Sequence, residues 1–201
     1  MAITNGYCTL AELKANLGII DSVDDAELEL AIETASRDID SFTGRNFYNN
    51  GTATRVFAAV DNFTLLIDDL ITLTTLKTSS NLDNQFDITW TSADYQLEPL
   101  NGRSGGISGW PSTRIRAVNT LLFPQYMARA LVQIEGVWGW SAVPKPIKTA
   151  TLLQAARLFK RKDAPFGVAG FGDIGVVRIS SRLDPDVAQS INDYILERGI
   201  G

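Results

Sequence analysis

Residues 24–45 read DDAELELAIETASRDIDSFTGR, and the pattern of this stretch predicts one long amphipathic helix. Five apolar residues recur at spacings of four, three, four and three, as the buried face of a helix requires. They are Leu28, Ile32, Ala35, Ile39 and Phe42. Asp24-Asp25 suits the positive end of a helix and predicts a capped start, and Gly44 predicts the stop. We expect the apolar face to lie in a core.

A shorter helix is predicted just before this one. Thr9 and Glu12 form a capping box, in which a hydroxyl and a carboxylate bond the free amides of a helix start. Gly18 predicts the end of the helix. Three leucines between these points share one face, namely Leu10, Leu13 and Leu17.

Residues 49–142 differ in character, since threonine, valine and aromatic residues become frequent and glycine, asparagine and serine separate short runs. Five runs are predicted as strands: Thr54–Val60, Phe63–Ile67, Thr72–Thr78, Phe86–Thr91 and Arg129–Trp138. Asp68-Asp69 lies between two of them and predicts a turn. We interpret this region as an antiparallel β domain.

The last third of the chain returns to helical patterns. Pro144 and Pro146 suit the first turn of a helix, and a broad apolar face follows, made of Ile147, Ala150, Leu153, Ala156, Leu158 and Phe159. A glycine-rich loop, Gly167–Gly175, leads to a strand-like run at Val176–Ile179. Asp184 then predicts the cap of a closing helix, Pro185–Arg198, and this helix ends the predicted fold.

Together these patterns predict an α+β protein. The N- and C-terminal segments, residues 1–48 and 143–201, are expected to form a small α-helical bundle. Residues 49–142 form the β domain inserted between them.

The chain contains no histidine and a single cysteine, Cys8. The absence of histidine excludes Ser-His-Asp and Cys-His catalysis and every metal site that includes histidine. Residues 170–175, GFGDIG, match the GxGxxG pattern, which binds dinucleotides only between a preceding strand and a following helix. Here a helix precedes and a strand-like run follows, so we interpret the motif as a connecting loop. We expect no enzyme activity, no metal and no cofactor.

The formal net charge is −5, from 18 basic and 23 acidic side chains. Tight DNA binding normally needs a basic face that displaces counterions from phosphates, so the charge argues against it. The basic run Lys160, Arg161 and Lys162 has three interpretations: a solvated helix end, a phosphate contact, or partners for acids on a neighbouring subunit. We expect no membrane span and no signal peptide.

Four tryptophans fall in the predicted β domain, namely Trp90, Trp110, Trp138 and Trp140. Exposed tryptophans on a β scaffold stack on sugars, which keeps a carbohydrate- or host-binding module as an alternative function. Buried tryptophans instead anchor cores, and Trp138-Gly139-Trp140 is interpreted as a packed hinge.

The sequence also resembles the head–tail connector (adaptor) proteins of long-tailed bacteriophages. The resemblance is carried mainly by the two helical flanks and less by the β domain. The similar stretches are Leu10–Lys14, Asp24-Asp25, Ser41–Arg45, Asp94–Pro99, Val137–Trp140, Val143-Pro144, Ala155–Arg161, Ala164–Gly167 and Leu183–Val187.

This resemblance implies a structural virion protein without catalysis or cofactor. Its implied partners are copies of itself in a ring, usually twelvefold, a portal protein, and a stopper or tail-completion protein. DNA would pass through the ring without specific binding. The implied place is the neck of the virion, after assembly in the host cytoplasm. A stopper or tail-completion protein of the same neck remains a further alternative.

The assembly surface is predicted in the C-terminal part of the chain. Its predicted members are Phe166, Val168, Phe171, Val187, Ile191, Tyr194 and Ile195, with charge contacts at Lys160, Arg161 and Lys162. The glycine-rich loop and the closing helix are expected to be mobile in the free subunit and ordered in the ring, as interface segments often are.

Overall fold

A computed structural model describes residues 3–81, 83, 85–127, 129–161, 168–169, 177–178 and 183–196. The chain divides into two compact units. The helical unit is drawn from Met1–Phe47 and Val143–Leu196, and the β unit from Tyr48–Ala142 and Glu197–Gly201. The predicted α+β class is confirmed.

Helix α1, Leu10–Leu17, begins as the sequence predicts. The Thr9 hydroxyl accepts from the amide of Glu12 at 3.2 Å, and the Glu12 carboxylate accepts from the amide of Thr9 at 3.0 Å. Gly18 ends the helix in the left-handed region at φ 72°, which glycine adopts without steric cost.

Helix α2, Asp25–Thr43, carries the predicted apolar face with one exception. Four of its five members are buried, but Phe42 lies at the edge of the face and remains 37% exposed. The predicted cap is also wrong in detail, because the Asp24 side chain makes no capping hydrogen bond. Asp25 instead pairs with Lys14 of α1 at 2.6 Å.

Helix α3, Lys145–Lys160, follows Pro144 and has Pro146 in its first turn, as predicted. Its buried face is rotated from the predicted one, and Leu153 is exposed. The prediction used apolar residues alone, whereas two polar residues, Thr151 and Gln154, also lie in the buried face. That face follows the helical spacing of Ile147, Ala150, Thr151, Gln154 and Ala155.

The closing helix is shorter than predicted. Helix α4 spans Pro185–Ser190 and is followed by a single 3₁₀ turn at Asn192–Tyr194. The predicted cap is confirmed, since the Asp184 carboxylate accepts from the amide of Asp186 at 2.8 Å. Asp184 also pairs with Arg157 of α3.

The β unit is built on one antiparallel sheet with the strand order β1-β8-β2-β7-β4, and β3 pairs with β2. A separate hairpin joins β5 to β6. The strands are β1 Asn49–Phe57, β2 Thr64–Thr78, β3 Ile88–Thr89, β4 Tyr95–Glu98, β5 Arg103–Ser104, β6 Ile107–Ser108, β7 Ser112–Ala117 and β8 Val132–Gly139. Within the helical unit, β9 Val168–Ala169 and β10 Val177–Arg178 form a two-stranded antiparallel sheet.

The turn predicted at Asp68-Asp69 is wrong. Strand β2 runs through both residues and joins two predicted strands into one, with its pairing register shifted between Leu66 and Leu70. The two carboxylates have partners in the sheet instead. Asp68 pairs with Arg55 at 2.7 Å, and the buried Asp69 accepts from the Trp140 indole nitrogen at 2.8 Å.

One face of the sheet carries the core of the β unit. Strand β8 shows why, because its even-numbered residues from Val132 to Trp138 are buried and the odd-numbered ones between them are half-buried. Trp90 stacks on Phe123 with 4.6 Å between ring centroids. Gly139 turns the chain at φ 96°, where a Cβ atom would lie 2.0 Å from the carbonyl oxygen of Tyr48.

Candidate assembly interface

The predicted assembly residues of the closing segment pack mainly inside the helical unit. Val187, Ile191 and Tyr194 are buried, and Ile195 is 36% exposed. Burial within the chain accounts for the apolar character of the first three without a partner. Their assignment to an assembly surface stays a prediction.

An aromatic cluster of three rings fixes this segment. Tyr7 meets the edge of Phe47, and Phe47 meets Tyr194, each pair with 5.7 Å between ring centroids. The interplanar angles of 82° and 77° give edge-to-face contacts, which suit the charge distribution of aromatic rings. The cluster therefore ties the start of the chain, the segment after α2 and the closing segment together.

Backbone contacts hold the closing segment as far as Leu196. The Arg45 guanidinium, which is itself buried, donates through Nε to the carbonyl oxygen of Tyr194 at 2.7 Å. Two residues beyond Tyr194, the amide of Leu196 donates to the carbonyl of Thr43 at 2.8 Å. Thus the end of α2 positions the last described residues.

A polar network continues from the aromatic cluster into α2. The Tyr7 hydroxyl donates to Asp40 and accepts from the amide of Phe47 at 2.9 Å. Arg37 pairs with Asp40 at 2.8 Å. Burial and the neighbouring carboxylate raise the pKa of Tyr7 far above its usual value. Burial also raises the pKa of Asp40, although the Tyr7 and Arg37 contacts oppose this.

Sequence reasoning did not find Tyr7, Arg45 or Phe47. Arg45 did carry a signal, because it ends the stretch Ser41–Arg45 on which the family resemblance partly rests. Its contact with Tyr194 spans 149 residues of sequence. Such a distant partner is not encoded in local periodicity.

The predicted charge contacts lie at the end of α3. Lys160 is exposed, Arg161 is half-buried, and Lys162 lies outside the described residues. Phe166, Phe171 and the GxGxxG stretch also lie outside them, and Val168 is described only as part of strand β9.

Several large apolar side chains are exposed at loops. In the β unit they gather along the β1–β2 turn and the β7–β8 connection, where the amide of Phe123 donates to the carbonyl of Asn62 at 2.9 Å. They are Val60, Phe63, Val118, Leu122, Tyr126 and Met127. In the helical unit, Ile20 and Val23 are exposed in the α1–α2 connection.

Neither a metal site nor a reactive thiol is found among the described residues. Among them, no group of three or more cysteine, aspartate or glutamate side chains could hold a metal ion. Burial, with a smaller contribution from Glu12, raises the pKa of the Cys8 thiol to about 11. A thiol with that pKa is almost entirely protonated near neutral pH, so it is a poor nucleophile. No helix in the described ranges is long and apolar enough to cross a membrane.

The tryptophans do not form a platform for sugars. All four are buried: Trp90, Trp110, Trp138 and Trp140. The rings of Trp110 and Trp140 meet edge to face at 5.0 Å. The indole nitrogen of Trp138 donates to the carbonyl of Ala53 at 2.7 Å. The observation on which the carbohydrate-binding alternative depended is therefore not met, while the predicted hinge role of this stretch stays a prediction.

Comparison with known proteins agrees with the resemblance seen in the sequence. Residues 7–76 match the family model described as "Phage gp6-like head-tail connector protein". No curated protein sequence matches the chain.

Solved structures with a similar fold come from gene transfer agent (GTA) particles. One chain from the neck of an empty GTA particle, computed with C6 symmetry, has a TM-score of 0.55 at 18% identity. A chain from the virion of a native GTA particle has a TM-score of 0.54 at 20% identity. A chain from the neck of a native particle, computed with C12 symmetry, has 0.51 at 18%. Each match covers 100% of this chain and 95% of the other.

Residues 7–76 are therefore similar to head–tail connector proteins, and the fold is similar to that of chains from GTA particles. The resemblance predicted from the sequence is confirmed.

Proposed function

We propose that the chain forms a closed ring of twelve copies between a portal protein and a stopper or tail-completion protein. The observation that carries this proposal is the match of residues 7–76 to head–tail connector proteins. A similar fold occurs in GTA necks computed with C6 and C12 symmetry, which supports a ring. Closed rings repeat one contact between two different patches of each subunit.

The distribution of charge in the helical unit suits such a contact. Helix α2 carries six carboxylates and one arginine, whereas α3 carries four basic residues and no acid. An acidic patch on one subunit and a basic patch on the next would attract each other in a single orientation. Exposed Lys160 and half-buried Arg161 are the proposed basic contacts, with Lys162 beside them.

The closing segment and the glycine-rich loop are the proposed contacts to the portal or to a neighbour. Ile195 supports this assignment because it stays partly exposed beside residues that are firmly held. Val187, Ile191 and Tyr194 would then position the surface, while Phe166, Val168 and Phe171 would extend it. The segment's anchoring through Arg45 would keep the contact at a fixed place on the subunit.

The proposed ring has no catalytic role and needs no cofactor, and DNA passes through it without specific binding. The net charge of −5 supports weak binding, since phosphates are repelled rather than held. We expect dissociation constants for duplex DNA in the non-specific range of about 10⁻⁴–10⁻⁶ M at physiological salt. The proposed location is the virion neck, with assembly in the host cytoplasm.

Mass photometry and negative-stain microscopy of the purified full chain test the ring. Twelve chains of 21.9 kDa would weigh about 263 kDa. Twelvefold rings with a central channel are the expected result. A chain that stays monomeric alone and also fails to form rings with portal present would refute the proposal. Sequence-specific retention of DNA in a gel shift would refute the proposed passage of DNA.

A further inference from the structure

Strand β1 leaves one edge of the main sheet open. In the strand order β1-β8-β2-β7-β4, β1 and β4 are the two ends. Residues 49–54 of β1 are all exposed, so none of the described residues covers this edge. At the other end, β4 has only four half-buried residues and is followed by Pro99, which cannot donate to a further strand.

The open edge has the regular form of a strand that can accept a partner. From Gly51 to Phe57, β1 pairs with β8 in one continuous register, so every second backbone amide and carbonyl points away from the sheet. The irregularity lies before this stretch, between Asn49 and Gly51, where the Asn49 side chain accepts from the amide of Gly51 at 2.7 Å.

Two of the usual protections of an edge strand, proline and lysine, are missing from β1, and its one irregularity lies at its start, between Asn49 and Gly51. Proteins guard open edges with proline, lysine, bulges or charges directed at the edge. Strand β1 has no proline and no lysine, and its single charge is engaged within the unit. Arg55 pairs with Asp68 at 2.7 Å and lies 4.5 Å from the centre of the Trp138 ring. An unguarded edge of this length invites pairing with another chain.

The same chain carries a sheet that lacks a third strand. Strands β9 and β10 pair only with each other among the described residues, in the register Val177↔Ala169 and Arg178↔Val168. A two-stranded sheet is at best marginally stable in water and gains stability when a further strand joins it. We propose that the β9–β10 hairpin of one copy adds to the β1 edge of the next copy and extends its sheet.

This pairing would give the open edge of β1 a partner strand and the β9–β10 sheet a third strand. The contact would be made by backbone hydrogen bonds rather than by particular side chains. It also joins two different patches of the subunit, as a closed ring requires. The inference rests on the proposed ring and specifies how adjacent copies contact each other.

Cysteine cross-linking between two differently tagged populations of the full chain tests the pairing. One population carries a cysteine at one of five consecutive positions, so that registers of both parities are sampled, and the other carries Val177→Cys. The five substitutions are Thr52→Cys, Ala53→Cys, Thr54→Cys, Arg55→Cys and Val56→Cys. Because a disulfide requires Cα atoms within about 7 Å, only directly opposed positions react. A heterodimer is the expected main product for one register. The buried Cys8 is a poor competitor.

Gln133→Cys is the matched control, since β8 has strands on both sides and cannot accept another. It should give no heterodimer with Val177→Cys. A homodimer of Thr54→Cys alone would show that β1 pairs with β1 of another copy, which overturns the assignment of the hairpin. A disulfide between positions 54 and 177 of a single doubly substituted chain, without the intermolecular product, would overturn it as well.

Proline substitution gives a second test, which distinguishes failure of the β1 pairing from failure of the ring itself. Of the adjacent positions 53 and 54, one amide points to β8 and the other to the open edge. The proline variant that melts nearer to the wild type therefore marks the open side, and that variant should lose rings in mass photometry. If it forms rings as the wild type does, or if rings form without any heterodimer, the pairing is refuted while the ring stands. If no ring forms at all, the proposed function fails and the inference fails with it.

Discussion

Replacing Ile32 by alanine is expected to destabilise the helical unit by about 2–5 kcal/mol. Ile32 lies in the middle of α2 and is 0% exposed. It belongs to a cluster of buried residues that also contains Leu13 of α1 and Ala155 of α3, so the cavity would lie between three helices. Helices that pack on several sides cannot easily close such a cavity, which places the expected loss within this range.

The matched control is Leu30→Ala, two residues away on the same helix. Leu30 is 55% exposed, so its truncation removes little buried surface and should change stability by less than about 0.5 kcal/mol. Both substitutions keep good helix formers and therefore separate packing from helix propensity.

Thermal unfolding followed by circular dichroism measures the difference. For a chain of this size, 1 kcal/mol corresponds to roughly 2–4 °C, so Ile32→Ala should melt about 4–20 °C below the wild type. Because the chain has two compact units, the shift is expected in the transition that loses helical signal. An Ile32→Ala variant that melts as the wild type but fails to assemble would show that this face is an interface and not a core.

Three further predictions concern the polar network and the buried thiol. Tyr7→Phe should lower the free energy of unfolding by about 1–3 kcal/mol, because Asp40 and the amide of Phe47 lose a buried hydrogen-bond partner. Tyr126 is exposed, so the control variant Tyr126→Phe should melt at the temperature of the wild type. Equal melting temperatures of the two variants would contradict the network. Cys8 should react with a thiol reagent at pH 8 only after unfolding, and fast labelling of the folded chain would contradict its burial. Folding raises the pKa values of Cys8 and Tyr7, so above about pH 9 the unfolded chain loses these protons more readily than the folded chain. The stability of the fold should therefore fall as the pH rises above about 9. A melting temperature that stays constant from pH 8 to 11 would contradict this direction.

Local patterns were sufficient to predict where α1 begins and where α2 ends. The capping box at Thr9 and the glycine at position 44 each act within one turn of helix, so their effects appear in adjacent residues. The position of Phe42 was less predictable, because a residue at the end of a helix can satisfy the periodicity and still lie beyond the reach of the neighbouring helices. The prediction that Leu153 lies in the apolar face of α3 was wrong for a related reason. Thr151 and Gln154 occupy buried positions that apolar periodicity assigns to other residues.

The β unit was predicted less accurately, and Asp68-Asp69 shows the physical reason. Adjacent acids favour a turn when only local propensity is considered. In the sheet, partners from distant segments satisfy them: Arg55 for Asp68 and Trp140 for Asp69. Strand β7 was missed although its exposed Arg114 and Arg116 alternate with the buried Ile115 and Ala117, a period-two pattern that is typical of a half-buried strand. Those arginines, Arg114 and Arg116, both pair with Glu98 of β4.

Residues that are explained by the fold of one subunit can be distinguished from features that a single subunit does not explain. Tyr7, Arg45 and Phe47 are buried and bonded within the chain, so their identities are explained by the fold of a single subunit. The open edge of β1 has no such explanation, because β1 is bonded to β8 on one side and its outward backbone groups have no partner strand among the described residues. Features that a single subunit does not need are the ones that a neighbouring subunit can use. On this reasoning the contact between copies should be sought at the backbone of β1, whereas the buried aromatic cluster stabilises the helical unit.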